Sequence, residues 1–290
     1  MSGRIEDTAI GLPAPVLRPF ISQYAGFRFS GLPPGVHVGL PSSDVDLIIS
    51  LGGPIDLVQM PNTTQRPSAF TALVGGLQQA PVIVRQTGEA FGVHVFIKPF
   101  GVRAVLGVAG ADISSIVVNL SDVWARAGEL VEMLLAADTW QERFAVLDHA
   151  FASKLNSTSP PREVSWAWRR LVKSHGGATV QELADGIGYS RRHFSDRFRE
   201  TIGVTPKLFA RVLRFERACR LIADRKGCLA DVAIASGYYD QAHLTREWHA
   251  LAGCSPRAWI ARDLPFLQDY ELGGRNNERD GLESEHQSFV

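Results

Sequence analysis

Cysteine is scarce in this chain: there are three, Cys219, Cys228 and Cys254, none in the first 160 residues and no C-x-x-C pair. That spacing offers neither a zinc site nor a disulfide framework, so reduced thiols are expected. Long apolar runs are missing as well. No uninterrupted stretch approaches the roughly 18 residues that a spanning helix needs, and no basic segment followed by a signal-length apolar run stands at the start. A soluble, cytoplasmic protein without a membrane partner is the expectation. No Ser/His/Asp or Cys/His arrangement stands out, and no Gly-rich phosphate loop precedes a helix. An enzyme is not expected, and no cofactor is implied. Net charge is also lacking, since 30 Lys and Arg balance 30 Asp and Glu.

The balance conceals an asymmetry. Residues 1–160 carry 10 Lys/Arg and 13 Asp/Glu (net −3), residues 161–265 carry 18 and 11 (net +7), and residues 266–290 carry 2 and 6 (net −4). A charged face is usually only solvated. Here the excess coincides with an internal repeat, and together they read as a phosphate-neutralising footprint.

The repeat pairs Leu183 to Pro206 with Val232 to Pro256. Ala233, Gly237, Tyr238, Leu244, Trp248, Gly253 and Pro256 fall opposite Ala184, Gly188, Tyr189, Phe194, Phe198, Gly203 and Pro206. The offset is 49 residues up to the Gly-Tyr pair and 50 after it, so the second turn holds one extra residue. Each copy reads as a short helix, a Gly turn, a second helix and a Gly stop, which is a helix-turn-helix. Thr179 and Glu182 form a capping box ahead of the first helix; Gly188 suits the positive φ that ends it. In the second helix Phe194 and Phe198 mark a buried face at i and i+4, leaving Arg192, Ser195, Asp196 and Arg199 outward. The second copy buries Leu244 and Trp248 and turns Gln241, Ala242, Thr245 and Arg246 outward. Between the copies, Pro206 to Asp224 has helical periodicity with no internal Gly or Pro. At about 1.5 Å per residue it spans about 28 Å, near the roughly 34 Å between major-groove faces one turn apart.

These motifs resemble the AraC family of bacterial transcription regulators over about Glu163 to Asp263. That family has two helix-turn-helix units on a long helix, a Gly-aromatic turn, an aromatic pair in the reading helix and a Gly-x-(Thr/Ser)-Pro ending. They stand here as Gly188-Tyr189, Phe194/Phe198 and Gly203 to Pro206, then Gly237-Tyr238, Leu244/Trp248 and Gly253 to Pro256. Leu244 departs from the usual Phe, and Cys228 fills the capping position that Thr179 holds in the first copy. The resemblance implies base contacts from Arg192, Ser195 and Asp196 and from Gln241, Ala242, His243 and Arg246. Arginine pairs bidentately with guanine and glutamine with adenine, while Ala242 can meet only a thymine methyl. Asp196 suits an acceptor for cytosine N4 or an ion pair with Arg192 or Arg199; the ion pair is expected. Arg191, Arg199 and Lys207 are expected on phosphates, which position without reading sequence.

Residues 1–157 read as strand-rich to about residue 98 and helical over about 100–155. Strands are expected over Tyr24–Phe29, Gly35–Leu40, Val45–Ser50, Ile55–Gln59, Phe70–Val74, Val82–Gln86 and Phe91–Lys98, between Gly/Pro/Asn/Ser turns. An antiparallel barrel or sandwich follows. Helices are expected over Gly101–Val108, Leu120–Ala137 and Trp140–Leu155, then a polar linker at Asn156 to Pro161. The fold class is α+β: a β-rich N-terminal part followed by helices, then an all-α C-terminal part over 162–265 with two helix-turn-helix units joined by a long helix. The acidic tail, 266–290, lacks apolar periodicity and is expected to be disordered.

Alternation places His94 on the face of Phe96 and Lys98. With Glu89 and His37 it suggests a cupin-like metal site, but the His-x-His pair with a downstream Glu is absent, so an ordinary strand histidine is expected and no metal. Asp46 is expected to face solvent or bond a turn, with a pocket contact as the alternative. Phe27, Phe29, Phe91 and Phe96 read as core before pocket lining. An alkyl-acceptor repair protein of the same family needs a cysteine in the first 160 residues, which the chain lacks. A cupin-like metal-binding or enzymatic N-terminal half is the remaining alternative. The resemblance implies a sequence-specific activator acting as a homodimer on double-stranded DNA with RNA polymerase. It also implies an N-terminal half that takes a small-molecule effector, dimerises, or both.

Overall fold

The computed structural model describes residues 5–156, 160–224 and 227–261. The acidic tail and part of the expected linker lie outside them. Among the described residues nine strands come first, β1 (Ile5–Gly11), β2 (Ile21–Ser30), β3 (Gly35–Gly39), β4 (Val45–Ser50), β5 (Ile55–Gln59), β6 (Ser68–Phe70), β7 (Ala72–Gly75), β8 (Val82–Gln86) and β9 (Glu89–Ile97), and a tenth, β10 (Val117–Asn119), follows the first helix. They form a six-stranded sheet, β1-β2-β9-β4-β7-β10, and a four-stranded one, β3-β8-β5-β6, with antiparallel pairing throughout. The N-terminal part is thus an antiparallel β structure followed by helices, as expected.

Phe70–Val74, expected as one strand, is two. The chain changes sheets at Thr71, so β6 pairs with β5 and β7 with β4 and β10. Neither β1 nor β10 was foreseen. Both are sheet edges; β1 (IEDTAIG) is rich in polar residues and β10 has three residues, too few to show alternation.

Helices α1 (Val102–Val105), α2 (Leu120–Val123), α3 (Ala127–Ala136) and α4 (Trp140–Lys154) lie against the outer face of the larger sheet. The helix expected over Leu120–Ala137 breaks at Trp124, which takes an extended backbone (φ −144°, ψ 99°) and packs its ring edge-on to Phe151 at 5.3 Å. Burial of a large ring outweighs helix continuity there. Over Gly101–Val108 only Val102–Val105 is α-helical, after a 3-10 turn at Pro99–Gly101. Gly26 is required where α4 crosses β2, because a Cβ would stand 2.3 Å from the Trp140 ring.

The C-terminal part is α5 (Arg162–Lys173), α6 (Val180–Gly186), α7 (Arg191–Ile202), α8 (Pro206–Ala223), α9 (Leu229–Ala235), α10 (Gln241–Ala252) and α11 (Pro256–Ala261). One core runs from Val45, Leu47 and Val95 on the larger sheet through α1 and α4 to α5, α6, α7 and the first half of α8. A separate core closes around Phe215, Val232, Leu244 and Trp248. Among the described residues no helix is long and apolar enough to cross a membrane.

Candidate nucleic-acid interface

The two helix-turn-helix units are built by the same local chemistry. Thr179 caps α6: its backbone N–H donates to Glu182 Oε2 at 2.8 Å, and its hydroxyl accepts from the Glu182 N–H at 3.2 Å. These bonds hold the Glu182 carboxyl below its usual range. In the second copy the Cys228 N–H donates to Asp231 Oδ2 at 3.1 Å, while the Cys228 side chain makes no capping bond. Both first helices end alike. Gly188 (φ 70°) and Gly237 (φ 79°) take the left-handed conformation, and the N–H groups of Tyr189 and Tyr238 return to the carbonyls of Ala184 and Ala233, each at 2.9 Å. This six-to-one closure is a Schellman stop. The second helix of each unit is also capped, α7 by Ser190 and α10 by Asp240, and each ends on a left-handed glycine, Gly203 (φ 99°) and Gly253 (φ 68°).

Phe194 and Phe198 pack edge-on, 5.7 Å apart, beneath α7, and Leu244 and Trp248 are fully buried beneath α10. Those anchors fix which faces look outward. Arg192, Asp196, Gln241, Ala242 and Arg246 are exposed, whereas Ser195 and His243 are half-buried. The His243 ring stands 5.3 Å from that of Tyr238, and its Nδ1 accepts from the Tyr239 N–H at 3.4 Å. Arg191, Arg199 and Lys207 are exposed too. The expected ion pair of Asp196 is not made: among the described residues it pairs with neither Arg192 nor Arg199. For Arg192 the arginine precedes the acid by four residues, the weaker orientation against the helix dipole, and for either arginine an exposed pair gains little over separate hydration.

Tyr239 is not among the expected contact residues. It is the extra residue of the second turn and stands 86% exposed at the start of α10. The one-residue change of offset was the available signal. Ile234, on the outer side of α9, is 65% exposed.

The rod that joins the two units is α8, capped by Thr205 with Pro206 in its first turn. Arg211 pairs with Glu247 of α10, and Arg214 Nη1 donates to the Gly176 carbonyl at 3.0 Å. Glu216, only 5% exposed, is held by the N-terminal part: its carboxylate accepts from the Ser43 N–H at 2.9 Å and from the Ser43 hydroxyl at 2.8 Å.

A second site lies between the sheets, a cavity of about 700 Å³. His94 is buried there, its Nε2 3.1 Å from Asp46 Oδ1 and its ring stacked on Phe96 at 3.9 Å. Asp46 therefore does not face solvent as expected. The alternation of β4 holds, but both of its faces are covered: Val45, Leu47 and Ile49 meet the helices, while Asp46, Ile48 and Ser50 line the cavity. Phe27, Phe29 and Phe91 line it as well, and His37, whose pKa burial lowers to about 3, is neutral there. Among the described residues no group of three or more His, Cys, Asp or Glu is placed to hold a metal ion.

Comparison with known proteins bears on the C-terminal part. Residues 183–262 match the family model described as a helix-turn-helix domain. The chain is 32% identical over 85 residues to the HTH-type transcriptional regulator YkgA of Escherichia coli, covering 29% of this chain and 36% of that protein. It is 31% identical over 88 residues to the MmsAB operon regulatory protein of Pseudomonas aeruginosa, covering 30% of this chain and 29% of that protein. The matches thus span about a third of each relative. Among solved structures, ToxT of Vibrio cholerae aligns with a TM-score of 0.49 at 12% identity, over 88% of this chain and 97% of that one. With two capped helix-turn-helix units on one rod, residues 183–262 form a helix-turn-helix domain similar to those of these regulators.

Proposed function

We propose that the chain is a sequence-specific transcription regulator, an activator working as a homodimer in the bacterial cytoplasm, at the nucleoid when bound, and not an enzyme. In this reading 162–265 binds double-stranded DNA and 1–157 senses an effector and dimerises, with 266–290 a tail; RNA polymerase is the protein partner. The observation that carries it is the pair of reading helices, both anchored by buried aromatic side chains and both presenting polar, cationic faces to solvent. Arg192, Ser195 and Asp196 on α7 and Gln241, Ala242, His243 and Arg246 on α10 read bases; Arg191, Arg199 and Lys207 hold phosphates. The cavity between the sheets has the size of a small-molecule site and is the effector site.

Selection of bound fragments from genomic DNA with the full chain supplies the operator. On it, Arg246→Ala should cost about 1–3 kcal/mol with little change on random DNA. Equal weakening on both would place Arg246 on a phosphate, and no salt-sensitive affinity of the full chain for any duplex sinks the reading.

A further inference from the structure

The cavity's charges are arranged unevenly. Its basic lining residues are Arg28 and Arg85, both exposed; the Arg28 guanidinium lies 5.2 Å over the Phe91 ring, and Arg85 Nε donates to Asp56 Oδ2 at 2.7 Å. Asp7 and Glu89 are exposed as well. Deeper in, the one acid, Asp46, already faces His94, and His37 is neutral. A buried anion needs a paired cation and hydrogen bonds, and among the described lining residues the two arginines are both exposed. The walls are apolar, among them Phe29, Ile48, Leu57 and Val84.

One lining group asks for a partner. Gln86 on β8 is 8% exposed, and neither its amide nitrogen nor its amide oxygen has a hydrogen-bond partner among the described residues. An amide buried this way is under-satisfied in both its donor and its acceptor. It is one of the residues that line the cavity.

We propose that the cavity takes an uncharged, mostly apolar molecule of drug size whose polar end carries a donor beside an acceptor, as a primary carboxamide or a lactam does, and that Gln86 meets that end. This rests on the reading of the cavity as the effector site. Gln86 makes the paired amide-to-amide contact, the apolar walls take the body of the ligand, and the arginines at the mouth stay in water. The selectivity is against carboxylates, which would leave their charge unpaired, and against amines, which would have to displace His94 from Asp46.

Three probes that differ only in the head group test this on the full chain: 4-phenylbutanamide, 4-phenylbutanoate and 4-phenylbutylamine, titrated by calorimetry and by thermal shift. The amide is expected to bind at least ten-fold tighter than the other two. Gln86→Leu should abolish that preference while the variant melts no lower than the parent, since it removes a buried unsatisfied amide. Ile48→Trp, which fills the cavity, should remove binding of all three. Tighter binding of the carboxylate or the amine, or an amide preference that survives Gln86→Leu, overturns the ligand class and leaves the cavity's role standing. Binding that persists in Ile48→Trp, or no saturable binding of any probe to the parent, overturns the effector site itself.

Discussion

The first helix-turn-helix unit buries Leu183, Ala184, Phe194, Phe198 and Ile202 in a core that continues through α5 into the helices and larger sheet of the N-terminal part. The second closes Val232, Ala233, Leu244, Trp248 and Leu251 over Phe215 in a core of its own, which Leu40 alone among the described N-terminal residues joins. Two copies of one motif are therefore held in different ways. The first is continuous with the body of the molecule, whereas the second has a core of its own and meets the N-terminal part at points that include Leu40, which also lines the cavity, the Ser43 contact with Glu216, and the approach of Pro81 to Gly253. The strand pair β3 and β8 that bounds the cavity thus leads directly to the second unit. Ligand-dependent changes should reach α10 more readily than α7.

The widest test of that contrast is truncation of the matched aromatic residues. Phe198→Ala and Trp248→Ala should each cost about 3–5 kcal/mol. Hydrogen exchange separates them: Phe198→Ala should lower protection in α4 and β9 as well as α7, while Trp248→Ala should lower it in α9 and α10 alone. Equal spread from both would erase the difference between the units. Glu216→Ala leaves the buried N–H and hydroxyl of Ser43 without their carboxylate, a cost of about 1–3 kcal/mol per group. Urea denaturation should show it, with the added exchange confined to the second unit.

A subtler comparison sets the two helix stops against each other. At Gly203 a Cβ would meet the Gly110 carbonyl at 2.6 Å, and φ is 99°. At Gly253 the nearest atom would be Pro81 Cγ at 3.4 Å, and φ is 68°. Both substitutions carry the left-handed cost of about 1–2 kcal/mol, but Gly203→Ala must also push two backbones apart. Its melting temperature should therefore fall further than that of Gly253→Ala. Smallest is the capping contrast. Thr179→Ala should cost about 1 kcal/mol, and Cys228→Thr, which adds the side-chain cap the second unit lacks, should raise the melting temperature slightly.

Much of the C-terminal part was legible. The Thr-x-x-Glu box, the Gly-Tyr turns and the Thr-Pro start of α8 act through bonds within six residues, so sequence order carries them. The exposed faces of α7 and α10 follow from where Phe194, Phe198, Leu244 and Trp248 sit on the helical wheel. Tyr239 was legible as an added residue but not as an exposed one. In the N-terminal part three strands were placed to the residue, Val45–Ser50, Ile55–Gln59 and Val82–Gln86. The environment of Asp46 was not, because alternation reports two faces without saying what covers each. Burial of the side chain on the far face comes from a second sheet, whose strands are brought opposite β4 only by the tertiary fold.

What the sequence determined by itself is local and periodic: capped helices, turns that need a left-handed residue, a repeat, and a basic stretch. Only the tertiary structure decided that two sheets enclose a cavity, that Gln86 and His94 border it, that Glu216 docks on Ser43, and that one helix-turn-helix unit shares the main core while its copy does not. Those outcomes depend on contacts between segments more than a hundred residues apart in the case of Ser43 and Glu216. Neither residue's neighbours in the chain bear any mark of them.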